Sequence, residues 1–312
     1  MSNFVMVFPG QGSQSIGMLS DLANKFTIVK ETFNEASDVL GYNLWNLVQN
    51  GCKEKLNITW KTQPAILCAS VAIFRLWQKK YGTIPQLMAG HSLGEYSALV
   101  CAEVIDFKSA IKLVELRGKL MQKSVPIGKG AMCAIIGLKD SLILSLCKKA
   151  SEGEIVEIVN FNSPAQVVIG GEKNAVNRAA ILCKTFGAKK IFPLPLTVPS
   201  HCQLLKEASK KLKKILQNIV FKKPKIDVIN NVDVKIENSV EKIKDALVRQ
   251  LYKPVRWVEI MNVIKKRRIK NLVEIGPGKI LTGLSKRTLS TIHAIAINDT
   301  ESLNIGLNII NK

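Results

Sequence analysis

The chain alternates short apolar runs with longer segments in which apolar residues recur every three or four positions. An apolar run at Phe4–Phe8 is followed by helical periodicity over Asp21–Leu40 and Gln63–Tyr81, and a second apolar run, Leu87–Ala89, precedes a helical stretch after Ser92. Strands that alternate with helices are typical of α/β proteins, in which the strands are mainly parallel. The first part of the chain therefore predicts an α/β domain.

The pattern changes after a predicted helix over Phe107–Ser124, where Val125–Gly130 contains a proline and two glycines. The order that follows is β-α-β-β-α-β, which is typical of a ferredoxin-like unit. Its predicted elements are Met132–Ile136, Lys139–Ala150, Ile155–Asn160, Gln166–Ile169, Lys173–Phe186 and Lys190–Leu194. Prolines at 193, 195 and 199 predict a stiff return linker. A small subdomain over 126–198 is thus predicted inside a large one formed by 1–125 and 199–312.

The rest of the chain supplies further elements of the large subdomain. A long helix is expected after His201. Beyond it the predicted elements are strand Ile226–Asn230, helices Val240–Gln250 and Arg256–Arg268, strand Asn271–Ile275, a helix after Gly278 and strand Ile292–Ile297.

Length and composition indicate a soluble globular protein, since 312 residues with 47% hydrophobic content can bury a large core. The run Phe4–Phe8 lacks the basic flank of a signal peptide, and Pro64–Phe74 is too short to cross a bilayer. A cytoplasmic location without membrane attachment is therefore expected. The seven cysteines form no C-x-x-C pair, so no metal site and no disulfide framework is expected.

The formal net charge of +21 would attract anions, including nucleic acid and acidic proteins. Lysine is abundant throughout the chain, which favours compositional drift as the origin of this net charge. The one dense cluster of basic residues, Lys265–Arg268, lies at the end of a predicted helix. Aromatic residues make up only 6% and do not alternate with basic ones, so a nucleic-acid partner is not expected.

The most informative motif is Gly90–Gly94, a G-x-S-x-G sequence between a predicted strand and a predicted helix. This context is that of a nucleophile elbow, in which the serine hydroxyl is exposed on a strained turn. Ser92 is therefore the candidate nucleophile. The amide of Leu93 would lie at the helix N-terminus, where it can stabilise an oxyanion.

A serine nucleophile needs a base, and the chain has three histidines. His91 adjoins Ser92, so its side chain should diverge and pack or hydrogen-bond in the turn. His293 lies in an apolar strand pattern typical of a core residue. His201 follows the small subdomain at the seam where clefts form, which favours it as the base, although Ser200 and His201 could instead cap a helix. A backbone carbonyl could orient its imidazole.

The loop Pro9–Gln14 follows the first predicted strand and contains two glycines. It lacks the Lys-Ser/Thr ending of a P-loop and the full G-x-G-x-x-G spacing, which argues against nucleotide binding. A loop able to approach the Ser92 turn could donate a second oxyanion amide from Gln11.

Six short motifs lie in order along nearly the whole chain: Phe8–Gln14, Gly90–Glu95, Arg117 within Glu115–Gly118, Pro199–His201, Val248–Leu251 and Glu274–Gly278. Together they closely resemble those of the malonyl-CoA:acyl carrier protein transacylases of bacterial fatty acid synthesis. The resemblance implies a hydrolase-like α/β core with a mainly parallel sheet and an inserted ferredoxin-like subdomain.

The resemblance also implies roles for individual residues. Ser92 would accept the malonyl group, His201 would act as base and then acid, and the amides of Gln11 and Leu93 would form the oxyanion hole. Arg117 would pair with the free carboxylate of malonate. The backbone carbonyl of Gln250 would hold His201. Without the resemblance, Arg117 would be interpreted as a basic residue on the solvated face of a helix.

The implied reaction is a ping-pong transfer from malonyl-CoA, the substrate, to the phosphopantetheine thiol of acyl carrier protein, the partner, with no cofactor. A monomer is expected. Because the carrier protein is acidic in this family, basic residues near the cleft could steer its docking. The candidates are Lys189, Lys190, Lys286 and Arg287.

Two alternatives remain open at this level. A serine hydrolase or thioesterase on the same elbow would use a later histidine, His293, with a carboxylate such as Asp233. A nucleic-acid-binding protein would rest on the net charge alone.

Overall fold

The computed structural model describes residues 3–81, 83–195 and 198–310, which form two sheets surrounded by helices. The strands are β1 Phe4–Phe8, β2 Leu87–Gly90, β3 Gly130–Ile136, β4 Val156–Ser163, β5 Gln166–Glu172, β6 Lys190–Pro193, β7 Val228–Ile229, β8 Asn271–Ile275 and β9 His293–Ile297.

The helices of the first half are α1 Ser20–Lys25, α2 Thr27–Leu40, α3 Leu44–Asn50, α4 Lys53–Leu56, α5 Thr59–Tyr81, α6 Leu93–Cys101 and α7 Phe107–Ser124. Those of the second half are α8 Asp140–Ser151, α9 Lys173–Thr185, α10 Lys206–Gln217, α11 Val240–Gln250, α12 Trp257–Lys266, α13 Ile280–Thr288 and α14 Thr300–Ile310.

The larger sheet has the strand order β7-β2-β1-β8-β9, and all of its pairs are parallel. Every residue of β1 is buried, with Phe4, Met6 and Phe8 packed into one core and Val5 and Val7 into another. A strand that is apolar on both faces belongs in a sheet covered by helices on both sides. Because their pairing is parallel, the neighbouring strands β1, β2 and β7 end at the same edge of the sheet.

The smaller sheet has the order β4-β5-β3-β6 with antiparallel pairing throughout, and α8 and α9 pack on one face. This order is that of a ferredoxin-like unit. The predicted fold class, a mainly parallel α/β core with an inserted ferredoxin-like unit, is confirmed. The boundaries at 126–198 stay a prediction, and Leu196 and Thr197 of the return linker lie outside the described residues.

Main-chain contacts join the two sheets. Phe161 N–H donates to the carbonyl of Val255 at 2.9 Å, and Val255 N–H donates to the carbonyl of Val159 at 2.9 Å. The strand β4 is thereby held against the segment that precedes α12, so that the small sheet is fixed beside the large one.

Several element ends differ from those predicted. The helix predicted over Asp21–Leu40 is two helices, because Phe26 adopts an extended conformation between them and packs against the core. The long helix expected after His201 begins only at Lys206, after a 3₁₀ turn over Gln203–Leu205. Within the described chain no helix has the length and apolar content needed to cross a membrane.

Candidate active site

Ser92 lies on the turn between β2 and α6, with φ 52° and ψ −109°, a strained conformation for a residue with a side chain. The flanking glycines are a steric requirement. A Cβ on Gly90 would lie 1.9 Å from the carbonyl carbon of Gly94, and one on Gly94 would lie 2.0 Å from the carbonyl oxygen of Phe8. The motif therefore permits a tight elbow that packs directly against the end of β1.

The structure brings Ser92 and His201 together. Ser92 Oγ lies 2.7 Å from His201 Nε2, and His201 Nδ1 lies 2.6 Å from the backbone carbonyl oxygen of Gln250. The carbonyl can only accept, so it assigns the proton to Nδ1 and leaves Nε2 free to accept the serine proton. Ser200 caps no helix, since the turn that follows begins after Cys202 without a side-chain cap.

The imidazole of His201 is held neutral by its surroundings. Its side chain is buried, and burial together with the nearby positive charge of Arg117 lowers the pKa of His201 to about 3. A histidine whose charged form is disfavoured in this way is a free base at neutral pH. It can take a proton whenever the developing charge is compensated.

The two predicted oxyanion amides follow neighbouring parallel strands, Leu93 directly after Ser92 at the end of β2 and Gln11 after β1. Leu93 is the first residue of α6, so its N–H has no partner within the helix. Gln11 lies in the turn after β1, where the Ser13 hydroxyl donates to the carbonyl of Gly10 at 2.8 Å. Neither amide donates to an acceptor within the described part of the chain. Both are available to a developing oxyanion.

Arg117 is buried on α7, with 1% of its surface exposed, which corrects its interpretation as part of a solvated face. Its Nη1 donates to Gln63 Oε1 at 2.8 Å and its Nη2 to Gln250 Oε1 at 3.1 Å. The guanidinium also lies 5.3 Å from the ring centre of Tyr96. No carboxylate of the described residues forms an ion pair with it. A buried cation held by neutral amides is suited to receive an anionic ligand.

Three polar side chains that support the site, those of Asn231, Glu95 and Gln250, carry no motif that predicts this role. Asn231, which follows β7, accepts from Ser92 N–H through Oδ1 at 2.7 Å and donates to the carbonyl of Gly90 through Nδ2 at 2.7 Å. Glu95 accepts from Asn231 N–H at 3.0 Å, and the Gln250 side chain donates to the carbonyl of Ser92 at 3.0 Å. The position of Asn231 directly after a strand was the available signal.

The other two histidines lie elsewhere. His91 Nε2 lies 2.9 Å from Asn162 Oδ1 on β4, and its ring lies 5.5 Å from that of Trp257, so it packs and hydrogen-bonds as expected. His293 is exposed at the start of β9, and the expectation of a core residue was wrong. Asp233 is held by both Nη atoms of Arg249 at 2.6 and 2.8 Å. The pair required by the hydrolase alternative is therefore not assembled beside Ser92.

A cleft of ≈ 480 Å³ adjoins the elbow. Gln11 and His91 line it from the large sheet, and Asn160, Asn162 and Gln166 line it from the small sheet. Asn160 Oδ1 is buried without a hydrogen-bond partner in the described chain. The cleft thus offers amide groups along one wall and reaches the elbow at His91.

The residues suggested for docking are all exposed: Lys189 and Lys190 at the edge strand β6, and Lys286 and Arg287 at the end of α13. Among the described residues, no group of three or more His, Cys, Asp or Glu side chains could hold a metal ion.

The site combines a Ser–His pair, a backbone carbonyl that orients the histidine, and two backbone amides without acceptors among the described residues. These features define a serine acyl-transfer enzyme on an α/β fold. The model of the acyl transferase domain matches residues 5–304. A malonyl CoA-acyl carrier protein transacylase of Haemophilus influenzae is 59% identical over 305 residues, which cover 97% of this chain and 98% of that protein. The chain belongs to this acyl transferase family.

Solved structures agree with this assignment. The malonyl CoA-acyl carrier protein transacylase of Coxiella burnetii superposes with a TM-score of 0.98 at 47% identity, covering 99% of this chain and 98% of that one. A malonyl-transacylase in complex with a type II polyketide acyl-carrier protein superposes with a TM-score of 0.97 at 61% identity, covering 98% and 99%.

Proposed function

We propose that this protein is a malonyltransferase of fatty acid synthesis that moves a malonyl group from coenzyme A to the phosphopantetheine thiol of acyl carrier protein. The observation that carries the proposal is Arg117, a buried guanidinium held by two neutral amides close to the Ser92–His201 pair. A malonyl thioester has one reacting carbonyl and one free carboxylate. The nucleophile and the guanidinium match these two groups.

In the first half-reaction, His201 Nε2 takes the proton of Ser92 as Oγ attacks the thioester carbonyl. The oxyanion accepts hydrogen bonds from the amides of Gln11 and Leu93. As the intermediate collapses, the carbon–sulfur bond breaks, and the leaving thiolate of coenzyme A takes the proton from Nε2. The carbonyl of Gln250 keeps the imidazole in place through its Nδ1–H.

The second half-reaction repeats these steps with the thiol of the carrier protein. His201 deprotonates the thiol, the thiolate attacks the Ser92 ester, and the proton returns to Oγ. Every proton and electron pair is accounted for by these groups, so the proposed reaction needs no cofactor. All the residues named belong to one chain, which is consistent with a monomer.

Binding of the free carboxylate would give Arg117 a charged partner in place of the neutral side-chain amides of Gln63 and Gln250. The planar guanidinium of Arg117 offers two parallel N–H bonds to a carboxylate, a geometry that ammonium groups lack. Burial is the largest cause of the low pKa of His201, and the Arg117 charge lowers it further. Pairing with the substrate carboxylate neutralises this second contribution, so a malonyl group would make His201 a stronger base.

The cleft beside the elbow would hold the pantetheine arm of either thioester. Its amide side chains, Asn160, Asn162 and Gln166, can pair with the amides of that arm, and Gln11 also lines it. The exposed cations Lys189 and Lys190 would meet the acidic carrier protein outside it.

Isolation of the acylated enzyme tests the proposal. The protein is incubated with malonyl-CoA, freed of small molecules, and mixed with holo-acyl carrier protein. Appearance of malonyl-carrier protein with loss of the enzyme adduct is expected. Release of malonate to water at the same rate with and without carrier protein would instead favour the hydrolase.

A further inference from the structure

Glu95 is a second buried charge in the site, three residues after the nucleophile. It is 2% exposed, and Arg and Lys side chains of the described residues form no ion pair with it. Its Oε2 accepts from Asn231 N–H at 3.0 Å and from Gln250 Nε2 at 2.8 Å. A buried carboxylate without a cationic partner is costly unless it is protonated or compensated.

The compensating charge is Arg117, which reaches Glu95 through one side chain. Gln250 accepts from Arg117 Nη2 through Oε1 and donates to Glu95 through Nε2. A neutral amide thus lies between the guanidinium and the carboxylate. Burial lowers the pKa of Arg117 and raises that of Glu95, and the charge of each residue opposes the shift of the other without direct contact between them.

The other charges near Glu95 oppose its ionisation. Burial, the largest cause, and the carboxylate of Asp233 raise its pKa to about 7, against the hydrogen bonds from Gln250 and Asn231 and the charge of Arg117. Asp233 is itself held by Arg249, and the Tyr96 phenol beside Arg117 is neutral because burial raises its pKa to about 12. The protonation state of Glu95 therefore depends on how strongly the Arg117 charge stabilises its carboxylate.

We propose that Glu95 takes up one proton from solvent when the carboxylate of a malonyl group binds Arg117. This inference rests on the proposed function. One guanidinium cannot compensate two buried carboxylates, and the substrate carboxylate contacts it directly whereas Glu95 does not. The step forms one O–H bond on Glu95 and breaks the bond to hydrogen in the hydronium ion or buffer acid that delivers the proton.

The geometry allows this protonation without rearrangement. Both donors, Asn231 N–H and Gln250 Nε2, reach Oε2, so Oε1 can carry the proton while both hydrogen bonds persist. The Gln250 side chain keeps its bond to the carbonyl of Ser92 in either state. Glu95 is thus a positioning residue whose charge is exchanged for that of the substrate.

A small cavity gives the proton a path. It measures ≈ 10 Å³, about the space of one water, and Glu95, Asn230 and Glu237 line it. Asn230 Nδ2 is buried without a partner in the described chain, and the Glu237 side chain is 20% exposed. The cavity therefore links Glu95 to a carboxylate that reaches solvent.

The test is calorimetry of thioester binding to Ser92→Ala, which cannot be acylated there, in two buffers of different ionisation enthalpy. Binding of malonyl-CoA should be accompanied by the uptake of about one proton by the protein at about pH 8. At about pH 6 the uptake should be almost zero, because Glu95 is already protonated. Acetyl-CoA should take up none. His201 contributes little at either pH, since burial, the largest cause of its pKa of about 3, persists when Arg117 is neutralised.

The matched variant is Ser92→Ala with Glu95→Gln, which keeps the side-chain shape and should abolish the malonyl-specific uptake. If it fails to fold, the affinity of Ser92→Ala itself decides. Its Kd for malonyl-CoA should rise up to tenfold per pH unit above about 7, while that for acetyl-CoA stays flat. An unchanged proton count in the variant, or a flat malonyl-CoA profile, would overturn the inference. Failure of the wild type to form a malonyl adduct would instead refute the proposed function.

Discussion

The two sheets contribute opposite kinds of surface to the same cleft. At the carboxyl edge of the parallel sheet, Ser92, His201, Arg117 and Gln250 form a mostly buried polar network in which nearly every position is fixed by a neighbour. The antiparallel sheet instead offers amides to an open cleft and exposed lysines on the edge strand β6. Under the proposed function, the first region would perform the chemistry and the second would recognise the long, polar remainder of the substrates.

The largest effect is expected at the base. His201→Ala removes the proton acceptor that lies 2.7 Å from Ser92 Oγ, and the rate of malonyl transfer should fall by roughly 10⁴-fold. His293→Ala, which changes the exposed histidine of β9, is the matched control and should retain activity. The rates are measured by quenching malonyl transfer at fixed times. A similar loss in both variants would contradict the assignment of His201 as the base.

The next largest effect concerns the acid group of the substrate. Arg117→Ala should lower kcat/KM for malonyl-CoA by roughly 30- to 1000-fold, about 2–4 kcal/mol, while transfer of acetyl groups is retained or increased. Lys108→Ala removes an exposed cation from the same helix and serves as the control. Parallel loss of malonyl and acetyl transfer would show that Arg117 supports the fold and not the selectivity.

A subtler effect links Arg117 to the base. Since burial and then Arg117 hold the pKa of His201 at about 3, Arg117→Ala should raise that pKa. The imidazole would then bind a proton more tightly, and the acid limb of the acetyl-transfer profile would move to higher pH. Histidine NMR titration of both proteins measures the shift directly, and a downward shift would contradict the electrostatic account.

The smallest effect is expected on the recognition side. Reversing the charge of Lys189 and Lys190 to Glu should raise KM for carrier protein roughly threefold to tenfold, with loading from malonyl-CoA unchanged. The same reversal at Lys211 and Lys213, exposed on α10, is the control. An equal rise in KM for both pairs of substitutions would show that only the net charge of the protein matters and that the lysines at β6 have no specific role in docking.

Much of this arrangement follows from local sequence. Apolar runs with the period of buried strands placed β1 and β2 at the predicted residues, and the two glycines around Ser92 identified the elbow by a steric requirement that the structure shows. His201 was found because it lies at the seam after the inserted unit.

Other features depend on tertiary contacts that no local pattern encodes. A basic residue on a helix is usually solvated, and Arg117 is buried only because Gln63 and Gln250, distant in sequence, provide acceptors. The apolar pattern around His293 likewise predicted a core position, whereas β9 is an edge strand whose first residue faces solvent. The helices α3 and α4, with seven and four residues, are too short for a helical period to repeat, and α14 was not predicted although its apolar residues recur with helical spacing.

Intact-mass analysis of the protein after incubation with malonyl-CoA tests the central claim most directly. A single malonyl adduct on the wild type, located to the peptide that contains Ser92 and absent from Ser92→Ala, is the predicted result. An adduct that persists in Ser92→Ala, or no adduct on a folded wild-type protein, would contradict it.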